Sequence, residues 1–279
     1  MTMTGEIGGR TRVPDPGNVP TKGEVEAALD GLDQQPELEE LPDLTVMLPS
    51  GLVDGEDLIQ HAIVRELNGF DEEKLSRLDM DKNPAIFTTK LLAMAVESIG
   101  SRTPNEETIR QLLMGDRDAL VVGIRRATYG NLVPFKLTCS ECEQLSQVDI
   151  ELDKDIEVQI PEDPRKREFE VPLRRGAIAK IALINGAAQE AFSEGQSKKT
   201  QAEINSLILA RTLISIDGVP THGSEETSKR LSLADRDTLI DWIAQNQPGP
   251  QLQKEIRVHC ATCDAEYPIF LGTLNLFRF

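Results

Sequence analysis

The chain has 279 residues, of which 39% are hydrophobic and only 4% aromatic, and its 30 basic against 47 acidic residues leave a formal charge of -17. That length supports two modest cores. The negative balance repels phosphate backbones and anionic membrane surfaces, so nucleic acid and membranes are poor partners for it, and few rings are available to stack on bases.

Residues 1–43 combine Gly and Pro clusters with an acidic stretch, Glu37-Leu38-Glu39-Glu40, and show no sustained periodicity. They are expected to form a tail with one short helix at Lys22–Leu32. Met1–Arg12 lacks the apolar core of a signal peptide and no run has the length of a membrane span, so a reducing cytoplasm is the expected compartment. Leu44–Leu48 is an apolar, β-prone run with an expected stop at Pro49-Ser50-Gly51, and Asp57–Leu67 pairs with it or continues it. Asn68-Gly69 breaks the chain. Asp71-Glu72-Glu73 then opens a helix, its carboxylates at the positive end of the helix dipole.

Ala85–Ser98 reads as a helix running into a strand, Asn105–Leu113 as a helix, and Asp116–Ala127 as an amphipathic helix ended by Tyr129-Gly130. Residues 153–168 are a charged linker that holds the basic cluster Arg165-Lys166-Arg167. Beyond it come a strand from Phe169, a helix at Gly186–Gly195, an apolar segment at Ala202–Ile216 turning at Asp217-Gly218, and a helix at Leu233–Ala244. Gln247-Pro248-Gly249-Pro250 stops that helix. The apolar C-terminus, Ile269-Phe270-Leu271 and Leu274–Phe279, is expected to pack on the chain's own core.

The second half reads as a copy of the first. Asp116-Arg117-Asp118 recurs as Asp235-Arg236-Asp237, Glu106-Glu107-Thr108 as Glu225-Glu226-Thr227, and Asn68-Gly69 as Asn185-Gly186, with Ile99 matching Ile216. Small ordered changes of offset are what loop insertions between equivalent elements produce. The expected fold is therefore α+β and internally duplicated, with a first repeat at 44–152 and a second at 169–279. In each Asp-Arg-Asp triplet the first Asp is expected to cap the helix that follows.

Each repeat carries one CxxC pair, Cys139-Ser140-Glu141-Cys142 and Cys260-Ala261-Thr262-Cys263, and these four are all the cysteines of the chain. Two intervening residues let a tight turn present both sulfurs to one tetrahedral ion, but one pair cannot close a four-thiolate site. Phe135–Thr138 and Ile256–His259 alternate before the pairs, and Val148–Leu152 after the first, which reads as strand, turn, strand, the form of a zinc knuckle. Cys139, Cys142, Cys260 and Cys263 are thus candidate ligands of one shared zinc. The alternatives are two redox dithiols, or disulfides and structural thiols. Of the histidines, His61 and His222 lie in polar segments, and His259, directly before Cys260, reads as an exposed knuckle residue. There is no nucleophile elbow, phosphate loop or HExxH, so no enzyme is expected.

Leu48-Pro49-Ser50-Gly51, then Val64-Arg65-Glu66-Leu67-Asn68-Gly69-Phe70-Asp71-Glu72-Glu73, then Gly115-Asp116-Arg117 with Tyr129-Gly130 and a CxxC, resemble tail-assembly proteins of contractile-tailed phages and related injection systems. The nearest family is the T-even-type baseplate hub assembly protein or chaperone. The resemblance implies a soluble, non-enzymatic factor or minor baseplate component, with baseplate, hub or tail-tube proteins as partners, present in the cytoplasm during assembly or in the finished particle. The competing expectation is a zinc-ribbon regulatory or nucleic-acid-associated module, whose basic face would be Arg165-Lys166-Arg167 and Arg174-Arg175.

Overall fold

Strand β1 (Thr45–Asp54) runs straight through Pro49-Ser50-Gly51 and pairs antiparallel with β2 (Asp57–Val64). The expected stop is instead a bulge, where register shifts between Met47 and Leu52 and Gly51 takes φ +72. The backbone N–H groups freed by the bulge donate to Asp116 Oδ1, from Ser50 at 2.8 Å and Gly51 at 3.1 Å, so a distant carboxylate lets the strand continue. Residues 44–78, 83–252, 254–272 and 276–277 are described by this computed structural model; the tail at 1–43, with its expected helix, lies outside them.

After β2, helix α1 (Gly69–Leu75) starts on Asn68, whose side chain accepts from the N–H groups of Phe70 and Asp71 while Asp71 accepts from the Asn68 N–H, a capping box. Helix α2 (Pro84–Ala95) passes directly into β3 (Val96–Ile99), as expected, and β3 completes a sheet of order β1-β2-β3. Helix α3 (Glu106–Gln111) and the long α4 (Met114–Tyr129) cover it. The hairpin of β4 (Leu132–Thr138) and β5 (Leu145–Glu151) follows.

In the segment read as a linker, β6 (Val158–Gln159) pairs with a later short strand. Strand β7 (Glu168–Pro172), β8 (Ile178–Ala182), helix α5 (Gly186–Ser193), helix α6 (Gln201–Thr212) and β9 (Leu213–Ile216) then repeat the earlier order. Here β10 (Val219–Pro220) is added, giving the sheet β10-β9-β8-β7. Helices α7 (Glu225–Arg230) and α8 (Leu233–Gln245), β11 (Gly249–Pro250), which pairs with β6, and the hairpin of β12 (Glu255–His259) and β13 (Glu266–Phe270) complete the fold. The architecture is mixed α+β.

One core gathers the first sheet, α2 to α4 and the β4–β5 and β12–β13 hairpins, including Leu252, Val258, Ile269, Leu271, Leu276 and Phe277 from the end of the chain. Ile269, Leu271, Leu276 and Phe277 are buried, the last two at 2% and 5% exposure and each contributing about 2 kcal/mol, so these residues pack on their own protein as expected, whereas Phe270, on the other face of its strand, is 60% exposed. A second core lies under β7 to β9, α6 and α8, and Met114 of α4 reaches into it.

Neither Asp of the triplets caps its helix. Helix α4 begins two residues before Asp116, at Met114, with Leu113 as its N-cap, and α8 is capped by Ser232, whose hydroxyl accepts from the Asp235 N–H. Both aspartates sit in the first turn and reach across to distant backbone, Asp116 to the bulge of β1 and Asp235 to the turn between β7 and β8, where it accepts from the Arg174 N–H at 2.9 Å. The carbonyls of Ser50 and Gly51 in turn accept from Arg167.

Burial raises the Asp116 carboxyl from 3.8 to about 6, outweighing the N–H bonds of Ser50 and Gly51 and the nearby Arg167 charge. A folded value above the unfolded one means that the folded chain holds this proton more tightly. Its contribution favours the fold at low pH and is lost as pH rises from about 4 through about 6. Asp116→Asn keeps the Oδ1 acceptor and cannot ionise. Its melting temperature relative to the parent is expected to climb between about pH 4 and about pH 7.5, by the equivalent of at most about 2–3 kcal/mol. A pH-independent difference in thermal melts would show that Asp116 does not ionise in this window.

Candidate metal centre

The β4–β5 and β12–β13 hairpins carry the cysteines at their turns, and the same local bonds shape both. The Cys139 N–H donates to Gln144 O and the Glu143 N–H to Cys139 O; in the other hairpin the Cys260 N–H donates to Ala265 O and the Asp264 N–H to Cys260 O. Glu143 (φ 56) and Asp264 (φ 58) both adopt the left-handed conformation that closes the turn after the second cysteine. Phe135, Val148, Ile256 and Tyr267 pack the hairpins onto the first core. That packing brings residues more than a hundred positions apart to one place.

All four sulfurs lie within 4.8 Å of one another. Cys139 Sγ is 3.5 Å from Cys263 Sγ, and Cys142 Sγ is 3.9 Å from Cys260 Sγ. A tetrahedron with metal–sulfur bonds of roughly 2.3 Å has edges of about 3.8 Å, so the arrangement fits a four-thiolate metal site. The two short contacts are exchanged by swapping the hairpins, first cysteine with second in each case. The pair of knuckles is therefore close to twofold symmetric. Cys139 and Cys260 are buried, Cys142 is half-buried and Cys263 is exposed.

Hydrogen bonds to sulfur come from the Cys142 N–H to Cys139 at 3.2 Å and the Thr262 N–H to Cys260 at 3.4 Å, and Tyr267 Oη lies 2.5 Å from Cys139 Sγ. At Cys139 desolvation opposes ionisation, but the bonds from Tyr267 and Cys142 outweigh it and bring the thiol down to about 6. Cys263 behaves oppositely: despite a backbone bond at Ala265, the neighbouring sulfurs, Cys139 foremost with Cys142 and Cys260, push it up to about 12. Four thiolates this close cannot all ionise unless a cation is shared among them.

The sequence reading identified all four cysteines but missed Tyr267, a single aromatic in an alternating strand with no motif to mark it. His259 is exposed, its Nδ1 3.2 Å from Asp264 Oδ1, and His222 occupies a left-handed turn position at φ 53. The basic cluster is engaged with its own chain: Arg165 donates to Glu56 O, Arg167 to Ser50 O and Gly51 O, and Lys166 lies over the Phe169 ring at 4.7 Å. These contacts fix the side chains in place, with Arg165 and Lys166 still exposed. Among the described residues no helix is long and apolar enough to cross a membrane.

Outside the knuckles, the best-ordered polar cluster lies where the N-terminal end of α5 meets α2, α3 and α4. Glu190 of α5 accepts from Thr89 Oγ1 at 2.6 Å and from Arg110 Nε at 2.9 Å, and Thr89 in turn accepts from the fully buried Arg117 at 3.0 Å. These groups tie the helices to one another.

Comparison with curated proteins and with solved structures returns no match. The profile of one protein family, described as T4 bacteriophage base plate protein, matches residues 81–278, a span that takes in α2 to α8 and both cysteine hairpins. Because that match covers most of the chain, the protein belongs to the T4 bacteriophage base plate protein family.

Proposed function

We propose that this protein is a non-enzymatic structural or assembly component of a contractile phage tail or tail-like injection-system baseplate, built from two repeats stapled by one zinc ion on Cys139, Cys142, Cys260 and Cys263. The observation that carries the reading is the near-twofold sulfur tetrad made from two hairpins of a baseplate-family chain. When bound, the ion cross-links the hairpins and neutralises their thiolates. Its role is to hold one surface rigid for baseplate, hub or tail-tube partners. The protein acts in the cytoplasm during assembly or as part of the particle.

The recurrence of structure supports the two repeats, 44–152 and 169–279, linked by 153–168. Arg117 donates to Ile109 O, Ala85 O and Thr89 Oγ1, while Arg236 donates to Ser228 O, Ala202 O and Ser206 Oγ. Each acceptor of one set stands at the sequence position equivalent to its partner in the other. Asn68 and Asn185 both cap the helix after the second strand.

A reduced, purified preparation is expected to contain about one zinc per chain by elemental analysis, and to capture tail or hub proteins from cells assembling particles. Two ions or none would remove the shared site. Capture of nucleic acid in place of tail proteins would remove the assembly role.

A further inference from the structure

The contact between the two halves is one-sided outside the knuckles. The start of α5 docks on α2, α3 and α4, with the Gly186 N–H donating to Leu112 O at 3.0 Å and the Met114 N–H to Ile184 O at 2.8 Å. Gly186 has to be glycine there: an added Cβ would lie 2.5 Å from the Arg117 guanidinium and 2.9 Å from the Arg110 backbone. The contact is sealed by Glu190 on Arg110 and Thr89, and by Met114 inserted into the second core.

A twofold relation would bring the counterpart helix α1 onto α6, α7 and α8 of the same chain. It does not: α1 has no comparable packing there among the described residues. The matching parts are nevertheless present on both surfaces, where they make no equivalent contact with each other among the described residues. Gly69, in the place of Gly186, has an ordinary φ and nothing among the described residues within 4 Å of a would-be Cβ. Glu73, in the place of Glu190, is exposed. On the other face the buried Ser206, Lys229, which pairs with Glu225 as Arg110 pairs with Glu106, and the half-buried Arg236 stand where Thr89, Arg110 and Arg117 stand. Leu233, the counterpart of the inserted Met114, is 78% exposed. The Gly69 and Leu233 N–H groups have no partner among the described residues.

We infer that a second copy of this chain docks its α1 on the α6–α8 face, repeating between copies the contact that α5 makes within one. Gly69 would abut Arg236, Glu73 would meet Lys229 and Ser206, and Leu233 would enter the neighbour's first core. This rests on the two-repeat reading above. The repeated contact is confined to α1, because Gly115, which packs on Pro248 and Gly249, is replaced by Ala234. A one-sided contact of this kind is heterologous, so it propagates head to tail into a ring or a filament rather than stopping at a dimer.

Sedimentation of the full zinc-loaded chain from about 5 to about 200 µM is expected to show a weight-average mass that rises with concentration. Gly69→Lys and Leu233→Glu each change one exposed side of the contact, so each should stay folded by thermal melt yet sediment as a monomer. Mixed together, they retain one good surface apiece and should form a one-to-one heterodimer. A parent chain that stays monomeric throughout, association that survives both substitutions, or a mixture that does not pair would overturn the inference. Gly186→Lys separates the two levels: it should lower the melting temperature by crowding Arg117. If it does so while the parent remains monomeric, only self-association fails; if it has no effect, the template contact itself is wrong and the inference falls with it.

Discussion

Cys139→Ser and Cys260→Ser are each expected to lower the melting temperature by about 10 °C or more, and the double variant to fall little further. A four-thiolate site that has lost one ligand has already lost most of its hold on the ion. Removing a second ligand from the other hairpin then takes away little that remains. Two independent structural thiols would behave differently, because buried cysteines that merely pack contribute separately and their losses add. The sulfur distances of 3.5 Å and 3.9 Å between hairpins make the coupled outcome specific to these four residues. Thermal melts of the parent, both single variants and the double variant, with and without added zinc, measure the coupling directly. Additive losses that zinc does not alter would dissolve the shared centre.

The cysteine centre was legible because its chemistry is local. A CxxC turn and its alternating flanks are written into a few consecutive residues, and four cysteines with none left over require the pairs to meet. The passage from α2 into β3 was legible for the same reason: its apolar spacing changes within one segment. What escaped were side chains that act at a distance. Pro49-Ser50-Gly51 has the composition of a strand stop, yet β1 continues because Asp116, on a helix far along the chain, accepts the N–H groups that the bulge frees. Asp116 and Asp235 look like helix caps in isolation and instead accept from distant backbone, a strand bulge in one case and the turn between β7 and β8 in the other. Tyr267 reaches Cys139 only because the two hairpins share one core. No short-range pattern encodes such pairings, since the sequence separation between partners carries no periodic signal.

Arg117 and Arg236 supply the second large effect, a contrast between two arginines with matching bonds. Arg117→Ala is expected to cost about 3–5 kcal/mol and Arg236→Ala about 1 kcal/mol. Arg117 is fully buried; desolvation lowers its guanidinium to about 10, against the opposing pull of Asp118 and Glu190, so it remains charged at neutral pH. Truncation removes the Arg117 donor from Ile109 O, Ala85 O and Thr89 Oγ1 and leaves a cavity in the interior, while Glu190 keeps its pairing with Arg110 and Ala85 O keeps the Thr89 hydroxyl. Arg236 itself is only half-buried and Ala202, one of its acceptors, is exposed, so water reaches this guanidinium and replaces part of the lost bonding, although Ser206 and Ser228 are buried. Arg117→Lys should recover little, because one ammonium cannot span three acceptors that a planar guanidinium reaches together. Urea denaturation of the three variants distinguishes the cases. Equal losses at Arg117 and Arg236 would mean that the docking of α5 adds nothing to the buried site. The expected inequality makes Arg117, against which the start of α5 packs, the residue through which that helix tightens α2 and α3.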